Sequence, residues 1–87
     1  MKLDHLRSEI DLIDNQLVIL IKKRLDIAHR IASAKKIMGK PIYDKKRENQ
    51  VISLRQNQGE NLGLRKKFIN DLWKILFQES KKIQLDI

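Results

Sequence analysis

Residues 3–38 read LDHLRSEIDLIDNQLVILIKKRLDIAHRIASAKKIM, and the spacing of the apolar positions in this stretch decides the fold. Leu3, Leu6, Ile10, Ile13, Leu17, Leu20, Arg24, Ile27, Ile31, Ala34 and Met38 follow one another at alternating steps of three and four. That period belongs to a helix whose apolar stripe faces a helical partner. Arg24 is the single member of the stripe that is not apolar. A guanidinium does not shed its proton in a protein, and burying one unpaired costs on the order of several kcal/mol. Arg24 therefore has a carboxylate partner inside the protein, or it receives an anion from outside.

Working outward, the first helix is predicted from about Asp4, a fitting N-cap, to Met38, where Gly39-Lys40-Pro41 is a strong stop. About 35 residues at a 1.5 Å rise give roughly 50 Å, which needs partners along its length. The run Leu17-Val18-Ile19-Leu20-Ile21 is apolar on every side, so other helices must cover it, and a second copy of the chain can supply them. A second helix is predicted from near Lys45 with Asp44 as N-cap, and Val51, Ile52 and Leu54 on its apolar side. Residues 56–63, Gln-Asn-Gln-Gly-Glu-Asn-Leu-Gly, read as its end and a loop. A third helix is predicted from Leu64 to Leu85, with Leu64, Phe68, Ile69, Leu72, Trp73, Ile75, Leu76 and Ile83 as its apolar surface. The expectation is one all-α domain over residues 1–87, three helices in the order long, short, medium, covered by a second copy of the chain.

Composition narrows the function classes. The chain has 87 residues, enough for one domain, and a lone chain of this size buries only roughly 60% of its unfolded surface. It has no cysteine, which removes disulfides and cysteine-based metal sites. His5 and His29 show no ligand spacing, so neither a metal nor a cofactor is expected. The N-terminus lacks the apolar core of a signal peptide and the longest apolar run is too short for a bilayer, so a cytoplasmic protein with no membrane partner is expected. A net charge of +8 fits a lysine-rich solvated surface, a nucleic-acid footprint or attraction for a small polyanion, and does not separate them.

Polar residues that interrupt apolar faces sharpen this. Arg24 and Lys35 are eleven residues apart, close to whole helical turns, so they share a face roughly 16 Å apart along the axis. Two cationic side chains leaning together across that gap form a clamp for a small dianion; the plainer alternative for Lys35 is a snorkelling flank lysine. Arg7 lies about 100° round the helix and roughly 25 Å from Arg24. If both serve one small ligand, Arg7 comes from another subunit; otherwise it is a surface arginine. Ser80 and Gln84 are i, i+4 neighbours that continue the face of Ile69, Trp73 and Leu76. They are hydrogen-bonding groups in search of a partner, or residues at a fraying end. Asp44-Lys45-Lys46-Arg47-Glu48 opens the second helix, whose positive end favours acceptor atoms, and also reads as a solvated capping turn. No phosphate loop and no nucleophile–base pair is present. A set of Arg, Lys, Ser, Gln and Glu suits binding and electrostatic stabilisation better than covalent catalysis.

Taken together, these residues resemble the all-helical, AroQ-type chorismate mutases. The matching pattern is Leu6-Arg7-Ser8-Glu9-Ile10-Asp11, Asp14, Arg24, Ala34-Lys35, Pro41-Ile42-Tyr43-Asp44, Arg47-Glu48, Glu79-Ser80 and Gln84. No single piece is specific; the ordered set, from Leu6 to Gln84, is. The resemblance implies an intertwined all-helical homodimer of three-helix chains in which each site borrows one arginine from the other subunit. It implies the Claisen rearrangement of chorismate to prephenate in phenylalanine and tyrosine biosynthesis, a pericyclic reaction that needs no base, nucleophile or cofactor. Carried over by residue, Arg7 of the second chain, Arg24 and Arg47 line the substrate carboxylates, with Ser80 assisting. Lys35 and Gln84 donate to the ether oxygen, and Glu48 with the backbone near Asp44 holds the ring hydroxyl. Lys35, Gln84 and Arg24 are the expected catalytic residues.

One departure stands out. Lys81 follows Ser80, where the family more often carries an apolar residue near the pocket, and it either points to solvent or alters affinity. The sequence stops three residues after Gln84, which reads as a monofunctional enzyme. An isochorismate–pyruvate lyase shares the fold and arginine frame, but its pattern lacks the Arg47-Glu48 pair and Ser80. A basic nucleic-acid module needs its cations on one exposed face, whereas here Arg24 is on the seam and the lysines are spread, so no nucleic-acid partner is expected. A plain dimerisation module leaves Arg24, Ser80 and Gln84 without a purpose.

Overall fold

A computed structural model describes residues 2–85. Three helices follow in chain order: α1 (Lys2–Met38), α2 (Lys45–Asn61) and α3 (Lys66–Leu85). The chain is all-α as expected, in the order long, short, medium. α3 packs on both α1 and α2. The particle is an elongated body of 57 × 24 × 15 Å, and its long dimension matches a helix the length of α1.

Both inter-helix stops follow the same chemistry. Gly39 and Gly63 take positive φ values of 68° and 81°, which a residue with a Cβ adopts only at a cost. At the end of α1, Gly39 N–H donates to Lys36 O and Lys40 N–H donates to Lys35 O at 2.8 Å. At the end of α2, Gly63 N–H donates to Glu60 O and Leu64 N–H donates to Gly59 O at 2.8 Å. These paired bonds are the Schellman closure that satisfies the last helical carbonyls. The first one turns the chain so that residues 41–44 cross beside the C-terminal end of α1.

The helix bounds differ from the sequence reading in three places. Asp4 is not an N-cap: α1 already begins at Lys2, and Asp4 lies in its first turn, where its charge favours the positive helix end. Residues 56–61 are not a loop, because α2 continues to Asn61. Gly59 is buried there, and a Cβ on it would lie 3.0 Å from Ile69 Cγ1, so glycine serves close helix packing rather than a turn. α3 begins at Lys66 rather than Leu64, since Leu64 closes the Schellman turn.

The buried apolar residues are few: Ala28 and Ala32 on α1, Val51 on α2, Ile69 and Phe77 on α3. Small residues on α1 let α3 approach closely. Ala28 and Ala32 lie beside the 3–38 stripe rather than in it; the stripe itself, half-buried Arg24 apart, is open in the single chain, Ile27 and Ile31 included. Residues 2–23 are all exposed, including Leu6, Ile10, Ile13 and Leu17, each at least 50% accessible. Leu17–Ile21 is likewise uncovered. On α3, Phe68, Leu72 and Ile75 are also exposed, and Leu54 of α2 is open as well. Thus α1 has a docked C-terminal half and an apolar N-terminal arm.

Candidate active site

The docked half of α1, the 42–44 crossing, the first turns of α2 and the last turns of α3 enclose a cavity of about 330 Å³. That lies within the range of small-molecule sites. Arg24, Lys35, Asp44, Arg47, Glu48, Ser80 and Gln84 all line it. Seven of the eight residues singled out in the sequence therefore meet in one place. Arg7 does not: it sits on the exposed N-terminal arm of α1. The separation expected from helix rise is thus kept within one chain.

Each side chain is placed by local structure. Arg24 and Lys35 project from one face of α1. The Arg24 guanidinium donates to Ser80 Oγ at 3.3 Å and stands 5.8 Å from the centre of the Phe77 ring. Partial burial, and secondarily the charge of Arg55, push the Arg24 pKa below its ordinary value. Its charged form is thus under strain that a bound anion would relieve. Lys35 Nζ donates to Ile42 O at 2.9 Å, which ties the crossing segment to α1 and leaves further N–H donors free.

Asp44 caps α2. Its carboxylate accepts from Arg47 N–H at 3.0 Å, so it is committed to the helix end, and its own C=O accepts from Glu48 N–H. The cap sets the direction in which Arg47 and Glu48 leave α2. Ser80 and Gln84 are buried near the end of α3, not frayed. Gln84 Nε2 donates to Ala28 O at 3.3 Å, leaving its second N–H available to the cavity.

Electrostatics follow from this census. Arg24, Lys35, Arg47 and Lys81 line the cavity with only Asp44 and Glu48 against them, an excess of two positive charges. Among the described residues, neither Arg24, Lys35 nor Arg47 has a carboxylate partner in salt-bridge range. Arg24 therefore lacks the internal partner its place in the stripe demands. The arrangement suits a dianion with donors at several points around it.

Phe77, Ile42 and Lys81 are among the lining residues outside the set expected from the sequence. Phe77, absent from the expected apolar face of α3, lies three positions before Ser80 and forms the wall under Arg24. Ile42 supplies the carbonyl that holds Lys35. Lys81, expected either to point to solvent or to alter affinity, lines the pocket and pairs with Glu48 at 3.1 Å. Tyr43 places its ring 4.3 Å from the Lys81 ammonium.

Comparisons with known proteins bear on this geometry. The T-protein of Haemophilus influenzae is 35% identical over 90% of this chain, and the chain spans 21% of that protein's length. The chorismate mutase of Methanocaldococcus jannaschii is 32% identical, covering 95% of this chain and 84% of that protein. The structure of a conserved hypothetical protein from Pyrococcus furiosus superposes with a TM-score of 0.78 at 37% identity, covering 97% of this chain and 96% of that one. The family model for chorismate mutase type II matches residues 6–85, which takes in all three helices and every side chain of the cavity, and the chain belongs to that family.

Proposed function

We propose that the chain is a chorismate mutase, converting chorismate to prephenate for phenylalanine and tyrosine synthesis in the cytoplasm. The observation that carries this is that Arg24, Lys35 and Arg47 line the cavity without carboxylate partners among the described residues, joined by a buried hydroxyl and a buried amide. Chorismate is a dicarboxylate with an enol-ether oxygen and one ring hydroxyl, and each of these features has a counterpart in the lining. Arg24 with Ser80, and Arg47, take the carboxylates. Lys35 and the free N–H of Gln84 donate to the ether oxygen. Glu48 and the backbone at Asp44 receive the ring hydroxyl.

The chemistry asked of these groups is modest. One C–O bond breaks and one C–C bond forms in a single pericyclic step, with no proton moved. Holding the two carboxylates folds the substrate so that the bonding carbons face each other, which removes an entropic part of the barrier. Negative charge grows on the ether oxygen as its bond to the ring breaks. Fixed donors at Lys35 and Gln84 stabilise that charge without reorganising, and losing one such donor typically costs about 10²–10³ in rate.

The working unit in this proposal is a homodimer of single-domain chains. The exposed arm of α1 supports it: an isolated arm with leucines and isoleucines open to water is not a stable helix by itself. A second copy would cover the arm along the stripe. The twofold pairing of α1 helices would also carry Arg7 of the second copy toward Arg24 of the first, adding a third cation to the carboxylate end.

Incubation with chorismate and, separately, with isochorismate tests the activity. Prephenate formation from chorismate is the expected result. Pyruvate release from isochorismate without any prephenate from chorismate would replace the mutase with a lyase. No turnover of either would refute the reading of the cavity.

A further inference from the structure

Among the six charged side chains of the cavity, one ion pair forms, between Lys81 Nζ and Glu48 Oε2 at 3.1 Å. The Lys22–Asp26, Lys67–Asp71 and Lys82–Glu79 pairs join residues within one helix and are more than half exposed. Lys66–Glu60 joins α3 to α2 but is also about half exposed. Lys81–Glu48 joins separate helices and is shielded, with the Glu48 side chain 19% accessible and that of Lys81 33%. Exposed pairs contribute little; a shielded, geometrically fixed one orients its members.

The ammonium is held from a second side as well. It lies 4.3 Å from the Tyr43 ring centre, within cation–π range. Lys81 thus ties the end of α3 to the first turn of α2 and to the 42–44 crossing. The pair is electrically neutral, so it adds nothing to the attraction for a dicarboxylate. Arg24, Lys35 and Arg47 remain the cations open to one. Any effect of Lys81 on a ligand therefore passes through the carboxylate it holds. We infer that Lys81, braced by Tyr43, is a positioning residue that aims the Glu48 carboxylate at the hydroxyl of the bound ring. This role rests on the mutase reading of the cavity, in which Glu48 receives that hydroxyl.

Lys81→Met tests it, since methionine keeps an apolar stem over Tyr43 and removes the ammonium. Lys81→Arg keeps the charge. Hydroxyl recognition is made in ground and transition states alike, so the loss falls on KM more than on kcat. With Glu48 intact, Lys81→Met is expected to lower kcat/KM for chorismate roughly three- to thirty-fold, inside the range of coupling between touching residues, and Lys81→Arg to restore most of it. In a Glu48→Gln background the same change is expected to move kcat/KM by less than about twofold. Equal losses in both backgrounds, or no loss with Glu48 intact, would overturn the positioning role. Thermal melts of each variant separate a folding defect, which would also count against it because it would not depend on Glu48. Wild-type protein inert toward chorismate would instead refute the reading of the site, whatever Lys81 does.

Discussion

Replacing Arg24 by methionine separates stability from function at one position. The guanidinium stands in an apolar stripe with a neutral hydroxyl at 3.3 Å and an aromatic ring at 5.8 Å, and no carboxylate in salt-bridge range among the described residues. Arg24→Met gives up a long hydrogen bond worth about 1 kcal/mol. It also loses a ring contact worth about 0.5–1 kcal/mol. Against this, it removes a desolvated charge and its repulsion with Arg55, the two causes that push the Arg24 pKa down. Exchanging buried ionic groups for well-packed apolar ones is commonly neutral or stabilising by about 1–4 kcal/mol. Arg24 is only half-buried, so the gain sits at the low end. The losses slightly outweigh the gain, so the expected net change is a destabilisation of at most about 1–2 kcal/mol, a Tm lowered by no more than about 8 °C.

Activity should change far more. Losing a charged donor at the carboxylate end is expected to lower kcat/KM by about 10²–10³ or more. The two assays are thermal melting by circular dichroism at fixed protein concentration and chorismate loss by ultraviolet absorbance. The sign of the pH dependence follows from the lowered guanidinium pKa. Burial penalises the charged form at every pH below that pKa, and a guanidinium stays charged through the working range. The stability difference between wild type and variant is therefore flat between about pH 5 and 9. A melting temperature lowered by more than about 8 °C would show that Arg24 holds the fold together. Turnover within tenfold of wild type would show that it does not hold the substrate.

Gln84→Glu replaces an amide that donates at any pH by a group that donates only when protonated. Its rate should rise as pH falls through the carboxyl pKa, about 4.3 when unperturbed, while wild type shows no such rise; a flat profile for the variant counts against the ether-oxygen role. Gly59→Val drives methyl groups into Ile69, which a Cβ alone would already meet at 3.0 Å. A loss of about 1–3 kcal/mol in urea unfolding is expected, and wild-type stability would mean that α2 and α3 do not approach as closely as described. Arg7→Ala should lower kcat/KM steeply while leaving helicity unchanged, because the side chain is exposed on the arm; unchanged activity would remove it from the site.

What could be read from residues alone was whatever depends on helical period. The eleven-residue interval between Arg24 and Lys35 put both on one face, and both line the cavity. The i, i+4 pair Ser80 and Gln84 faces inward for the same reason. Tertiary proximity carried no such signal. Gly59 among Asn, Gln and Glu has the composition of a loop, yet close packing on Ile69 keeps it helical. Phe77 is buried beside Ser80, whereas Leu72 and Ile75 of the expected apolar face are exposed, a difference set by packing and not by period. The Lys81–Glu48 contact joins residues on different helices and has no local signature. The exposed arm was foreshadowed by the run Leu17–Ile21, which no face of a single small chain could cover.

The central claim is that Arg24 on one chain and Arg7 on another complete a single anion site. Mixing Arg7→Ala and Arg24→Ala proteins under conditions of demonstrated subunit exchange tests it most directly. Each hybrid dimer would hold one intact and one doubly defective site. Random pairing makes half of the dimers hybrids, so activity should recover to about a quarter of wild type from two nearly inactive parents. Proven exchange with no recovery would contradict a site shared between chains.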